Sequence, residues 1–326
     1  MRRLLLTTIA LLFAGFVKIY AQQEPQFTHY MFDKLEYNPA AAGIDDHYVN
    51  ITGLIHNQWG SFHDPEGASA PVTQNLAIDG SIYPNGHHIG LGFNFLNDRE
   101  GFINTTGFMA SGDYHFSPGF GGDLSVGLNV GMLDKAVNPK WNTPDPTDPY
   151  LPGTSSNSGL DAGLGLYYSA LKYYVGISAL HLPASTLNFA TPYNGNQTSN
   201  AQYTVDRTYF ITGGYYYDIP SKPDLQLQPS FLLKQDAATT SFGVSCLLMW
   251  KQLLWGGINY RTERITALAI MGGINLTPNL KVGGSYDIAT SAPTAFGGTY
   301  EFFFNYRFQV HIPVEVPVWD RSPRFL

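Results

Sequence analysis

Between Asp123 and Leu133 the chain alternates strictly. Leu124, Val126, Leu128, Val130 and Met132 are apolar, while Ser125, Gly127, Asn129 and Gly131 between them are small or polar. A period of two belongs to an extended strand whose two faces meet different surroundings. The pattern recurs at 48–59, 72–83, 87–96, 103–116, 123–133, 159–170 and 172–181. It returns at 207–219, 225–234, 239–250, 253–261, 265–276, 280–289 and 299–308, which predicts about 14 strands.

The links between these segments are uneven in a systematic way. After even-numbered strands they are tight, as in PNG (84–86), AL (170–171), KQ (251–252) and TPN (277–279). After odd-numbered strands lie the long ones, notably 134–158 and 182–206. A soluble sandwich or propeller also alternates, but has no such bias. Tight turns on one side, long loops on the other and an even strand count describe a transmembrane antiparallel β-barrel. Both termini are then expected on the tight-turn, periplasmic side.

The last strand, YEFFFNYRF, assigns its faces. Tyr300, Phe302, Phe304, Tyr306 and Phe308 share one parity; Glu301, Phe303, Asn305 and Arg307 share the other. A closed sheet satisfies its own backbone and leaves only side chains to meet acyl chains. The aromatic parity is therefore expected against outer-membrane lipid, with Glu301, Asn305 and Arg307 in the lumen. The same reasoning turns Asp79, Asn94, Asp161, Lys234, Lys281 and Asp287 inward. Of these charges, Lys281, Asp287, Glu301 and Arg307 lie on neighbouring final strands and are expected to pair with one another. Trp59 and Trp250 near strand ends fit interfacial positions.

Composition supports this reading. Charged residues are 13% of the chain, against roughly 25% in an ordinary soluble domain. Glycine (34 residues) and aromatics (14%) are plentiful, and mean hydropathy is only −0.11. The start, MRRLLLTTIALLFAGFVKIYA, has the basic end, apolar run and small junction residue of a signal peptide, 1–21. Its removal takes Arg2, Arg3 and Lys18 and no acid, moving the net charge from −7 to −10. That balance argues against nucleic acid as a partner. The lone Cys246 excludes an internal disulfide and a multi-cysteine metal site.

Candidate chemistry is sparse. His87 and His88 are adjacent and point to opposite faces, so they read as turn histidines rather than metal ligands. Gly90/Gly92 and Gly163/Gly165 precede no helix, and read as small lumen-facing residues rather than a phosphate loop. Ser111, Ser125 and His115 do not stand out from other lumenal polar residues, and PDPTDP (144–149) reads as a surface loop. No catalytic residue, metal or cofactor is expected.

The barrel spans 47–308, leaving two segments outside it. Residues 22–46 carry Phe27, Tyr30, Met31, Phe32, Tyr37, Asn38 and Pro39, too many aromatics for a disordered linker. They are expected to be a periplasmic docking segment or a plug. Residues 309–326 form a proline-rich tail, expected in the periplasm.

PQFTHYMFDKLEYNPAAAG after the signal, HNQW ending strand one, FLNDREG ending strand three and the closing GGSYDIATSAPTAFGGTYEFFFNYRF resemble the PorP/SprF family. These are type IX secretion membrane proteins of the Bacteroidetes. The resemblance implies a non-enzymatic outer-membrane barrel of the secretion and gliding machinery. It would help large surface proteins such as adhesins to reach or stay on the cell surface, through their C-terminal domains. It also implies periplasmic lipoproteins or peptidoglycan-binding proteins as partners. The motif residues Asn57, Gln58, Trp59, Asn97, Asp98 and Arg99 are expected to shape the outer rim. An outer-membrane channel for small or hydrophobic solutes is the alternative.

Overall fold

The computed structural model describes residues 24–45, 48–60, 70–119, 121–138, 153–193, 197–237, 239–262, 266–290 and 297–310. The signal segment, PDPTDP and the tail beyond 310 lie outside the described residues. Alternating sequence becomes strand throughout. In chain order these are β1 (Tyr48–Asn57), β2 (Val72–Ile82), β3 (Ile89–Glu100), β4 (Ile103–Phe116), β5 (Gly122–Val137) and β6 (Ser155–Ala170). Next come β7 (Tyr173–Leu180), β8 (Thr186–Tyr193), β9 (Gln197–Thr204), β10 (Thr208–Tyr215), β11 (Tyr217–Asp218) and β12 (Leu225–Gln235). The chain closes with β13 (Thr240–Trp250), β14 (Leu254–Thr262), β15 (Ala267–Thr277), β16 (Leu280–Ala289) and β17 (Thr299–Gln309).

Every pairing is antiparallel and, hairpin apart, follows chain order. β1 pairs with β17 from Tyr48↔Gln309 to Asn57↔Tyr300, which closes the sheet into a barrel. The short β11 continues the line of β10 past Tyr216, and both pair with β12. Counted as one stave, they make a barrel of 14 strands. β8 and β9 form a separate two-stranded hairpin.

Parity falls as the sequence predicts. On β17, Tyr300, Phe302, Phe304, Tyr306 and Phe308 are exposed, Phe302 by 61%, while Glu301 and Phe303 are buried. On β5, Val126, Leu128, Val130 and Met132 face outward, and Ser125 and Asn129 are buried within. Exposed leucines and phenylalanines all round the sheet make sense only where the solvent is hydrocarbon.

Several boundaries differ from expectation. β5 runs on to Val137 and β6 begins at Ser155, so 134–137 and 155–158 are paired strand residues rather than loop. β3 runs to Glu100, so Asn97, Asp98 and Arg99 are strand residues, and the β3–β4 link is the tight Gly101–Phe102 turn. Asparagine and aspartate lowered the apparent strand propensity of FLNDREG, but cross-strand partners outweigh propensity. The link 182–206 is not an open loop. It folds as β8–β9 because Leu187 and Phe189, in strand alternation, bury against Leu133 and Val205.

A charge on the outward face tests the barrel assignment. Val130→Arg, at the middle of β5 and 55% exposed, should cost about 2–4 kcal/mol near the bilayer midplane. Urea unfolding in lipid vesicles would read this, and an unchanged midpoint would contradict a lipid-facing Val130.

Candidate functional site: a lumen filled by the N-terminal segment

Residues 24–45 run inside the barrel, where they are bound by strands from every side. At the end bearing the long loops, Glu24 Oε1 lies 2.5 Å from His181 Nε2, whose Nδ1 is 2.6 Å from Asp161. Lys234 Nζ donates to the Glu24 carbonyl at 2.8 Å. Ser241 donates to Gln26 Oε1 (3.0 Å), and Arg261 Nη1 to the Gln26 carbonyl (3.2 Å).

The next two residues meet Glu301. Its carboxylate accepts the backbone N–H of Thr28 (2.9 Å) and of His29 (2.7 Å). The Nδ1 atoms of His29 and His56 approach it at 2.6 and 2.8 Å. His56 and Glu301 are directly paired residues of β1 and β17, so this clamp spans the seam where the barrel closes. Beside it, Arg261 Nη2 and Thr28 Oγ1 both donate to Asp287 Oδ2, at 3.0 and 2.8 Å. Glu301 is completely buried. An ionised carboxylate there is tolerable only because charge-assisted donors surround it.

Apolar contacts then take over. Phe32 stacks on Phe303 (4.6 Å between centroids), His29 also stacks on that ring (5.5 Å) and lies beside Phe32, and Trp255 packs edge-on. Phe27, Tyr30 and Tyr37 are buried in the same cluster, with Met31 against it. Tyr30 Oη meets Ser230 Oγ at 3.1 Å. Asn75 donates to Asp33 at 2.5 Å, and Asn94 to Glu36.

Asn38–Pro39–Ala40 crosses the opposite wall. Asn38 caps the short 3-10 turn Pro39–Ala41 by accepting from Ala40 N–H (2.9 Å), and its Nδ2 donates to the carbonyls of Leu166 and Ile177. Close approach requires glycine here. A Cβ on Gly165 would strike Asn38, and one on Gly127 the backbone of Ala40. Ser178 donates to the Tyr37 carbonyl, Ser125 to Ala40 (2.5 Å) and His115 to Ala42 (3.0 Å). The segment reaches the tight-turn end with Gly43 N–H on Asp79 (3.0 Å) and Asp45 on Arg307 (3.0 Å).

The chain therefore threads the barrel lengthwise. Its first described residue, Glu24, is held at the loop end, whereas Gln309 ends the last strand at the turn end. Free space is uneven. A cavity of about 430 Å³ lies at the turn end, lined by Lys34, Asp33, Lys281 and Gln228 among others, whereas spaces nearer Glu24 measure about 40 and 10 Å³.

The four final-strand charges do not pair with one another as expected. Glu301 and Asp287 hold Thr28 and His29, Arg307 holds Asp45, and Lys281 lies over the Phe32 ring at 5.4 Å. Sequence parity turned them inward but had no means of supplying partners some 260 residues distant. His29, His56, His181, Lys234 and Arg261 were missed as site residues for the same reason. His87 meets Tyr114 Oη at 2.9 Å, and His88 stacks on His115 and reaches the Gly43 carbonyl.

The rim residues are brought together by β2. Val72 pairs with both Asn57 and Arg99, so the HNQW and NDR motifs flank one strand end. Asp98 is buried and accepts from Thr73 Oγ1 at 2.6 Å; Asn97 donates to Thr106 at 3.0 Å. Gln58 N–H donates to the Pro71 carbonyl at 2.9 Å. Trp59 adopts φ +52°, an uncommon conformation for a bulky residue, and its N–H reaches Thr299 Oγ1. Arg99 is exposed.

A family model for the type IX secretion system membrane protein PorP/SprF matches residues 19–306. The chain belongs to this family. It is an outer-membrane β-barrel of type IX secretion, and family and fold point to secretion or transport rather than catalysis. No curated protein matches it. Among solved structures, the Ralstonia pickettii toluene transporter TbuX is similar at 10% identity and TM-score 0.50, over 84% of this chain and 92% of that one. The CymD monoaromatic hydrocarbon channel (10%, 0.49; 82% and 89%) and a Pseudomonas aeruginosa FadL homologue (10%, 0.48; 89% and 95%) are also similar. At such identity the likeness to TbuX speaks for the barrel fold alone.

One outcome follows for this family member. Glu301→Ala leaves two backbone N–H groups and two imidazoles without their acceptor, at a cost of roughly 3–5 kcal/mol. The segment should loosen, so that trypsin cuts at Lys34 in the variant but not in the parent.

Proposed function

We propose that this barrel is a closed accessory of type IX secretion that holds or guides large exported surface proteins, such as adhesins, by their C-terminal domains. The observation that carries this reading is the filled lumen. Residues 24–45 are fastened to strands on every side, and the free space beside them shrinks from about 430 Å³ at the turn end to about 40 and 10 Å³ near Glu24. A solute channel needs a continuous route, whereas an anchor needs a stable frame with presented loops. In this reading the β5–β6 link and the β8–β9 hairpin, together with the rim around Asn57, Gln58, Trp59, Asn97, Asp98 and Arg99, meet the exported protein outside the cell. Gliding motility is the process such anchoring would serve. The tight-turn end and the tail 309–326 face the periplasm, where lipoproteins or peptidoglycan-binding proteins would dock.

The channel reading draws on the printed descriptions of TbuX and CymD, and on a segment that is a removable plug. Planar-bilayer recordings separate the two. The full-length protein should pass no steady current, and deletion of residues 26–43 should open one. Steady current from the full-length protein would move the assignment to a channel. Purification from outer membranes in mild detergent, followed by mass spectrometry, should recover the C-terminal domain of a secreted protein. A solitary barrel would count against anchoring.

A further inference from the structure

The 430 Å³ cavity at the turn end has a charge arrangement that internal structure does not explain. Of its acids, Asp45 pairs with Arg307, Asp79 accepts from Gly43 N–H and lies 3.5 Å from Asn50 Nδ2, and Asp33 accepts from Asn75 through Oδ2 while its Oδ1 has no partner among the described residues. Of its two lysines, Lys34 Nζ rests over the Tyr174 ring (4.1 Å) and Lys281 over the Phe32 ring (5.4 Å), and neither has a carboxylate within ion-pair distance among the described residues. Lys34 comes from the lumenal segment and Lys281 from β16, so two distant parts of the chain bring like charges to one space. Like charges facing a confined, partly desolvated cavity repel, and ring faces offset only part of the lost solvation. Gln228 and Asn305 add amide groups to the wall, and Gln252, in the β13–β14 turn, marks the mouth.

We infer that this cavity is a binding site for a carboxylate, received from the turn end and held between Lys34 and Lys281. Small organic acids and the acidic or C-terminal end of a peptide share that chemistry. Charge-assisted bonds from two ammonium groups would supply the attraction, and the amides would pair with a peptide backbone or with the acid's remaining oxygens. The site is independent of which protein is exported, since the cavity lies at the barrel end away from the long loops.

Calorimetric titration of the full-length protein in detergent tests this with three probes: acetyl-triglutamate, acetyl-triglutamine and succinate. Saturable binding of triglutamate, with none of triglutamine, is expected. K34M/K281M should weaken it at least tenfold, and K34R/K281R should restore most of it. Binding of triglutamate but not succinate assigns the site to a peptide end; binding of both assigns it to small acids. Absence of binding by either acid, or equal affinity in the methionine variant, overturns the proposal. Retention of the compact, heat-modifiable band on gels ensures that the methionine variant is folded when compared.

Discussion

A backbone in hydrocarbon has no water to turn to, and that constraint shapes everything else in this protein. Each strand must find both neighbours, so β1 and β17 must meet although about 250 residues separate them. Once the sheet closes, every second residue points inward. The outer face can be leucine, valine and phenylalanine because lipid accepts them. The inner face of a 14-strand barrel is too wide for its own side chains to fill, yet it carries buried Lys234, Arg261, Asp287 and Glu301. These groups need partners, and the N-terminal segment supplies them.

The segment and the seam are consequently one structure. Glu301 of the last strand binds His56 of the first and the Thr28–His29 backbone together, and Phe303 stacks with Phe32 and His29 beside them. Asp287 with Arg261, and Arg307 with Asp45, extend the arrangement over the neighbouring staves. Closing the barrel and filling it satisfy the same polar groups. The bond network is denser than a displaceable linker would require, which supports the proposed holding role.

The direction of threading divides the lumen chemically. Toward the loops, His181 sits between the Glu24 and Asp161 carboxylates, Lys234 donates to the Glu24 carbonyl, and little room is left. Toward the turns the segment turns aside at Pro39–Ala41, pressed into a wall where Gly127 and Gly165 let the backbone come close. The space that remains is at this end, and so are the lysines without acids.

Strand number, closure and the inward or outward sense of each residue were legible in the sequence, because a two-residue period records which face meets lipid. The aromatic face of 300–308 and the family motifs were equally plain. The β8–β9 hairpin was legible in principle from the alternation around Leu187 and Phe189, but prolines and polar residues nearby masked it. What the inward residues touch was decided only by the tertiary structure. Periodicity is a local property of one strand, whereas Glu301 with His29, or Asn38 with Gly165, are joined by a chain that passes through the barrel. Parity turns a carboxylate into the lumen; only the closed and filled fold determines which groups meet it there.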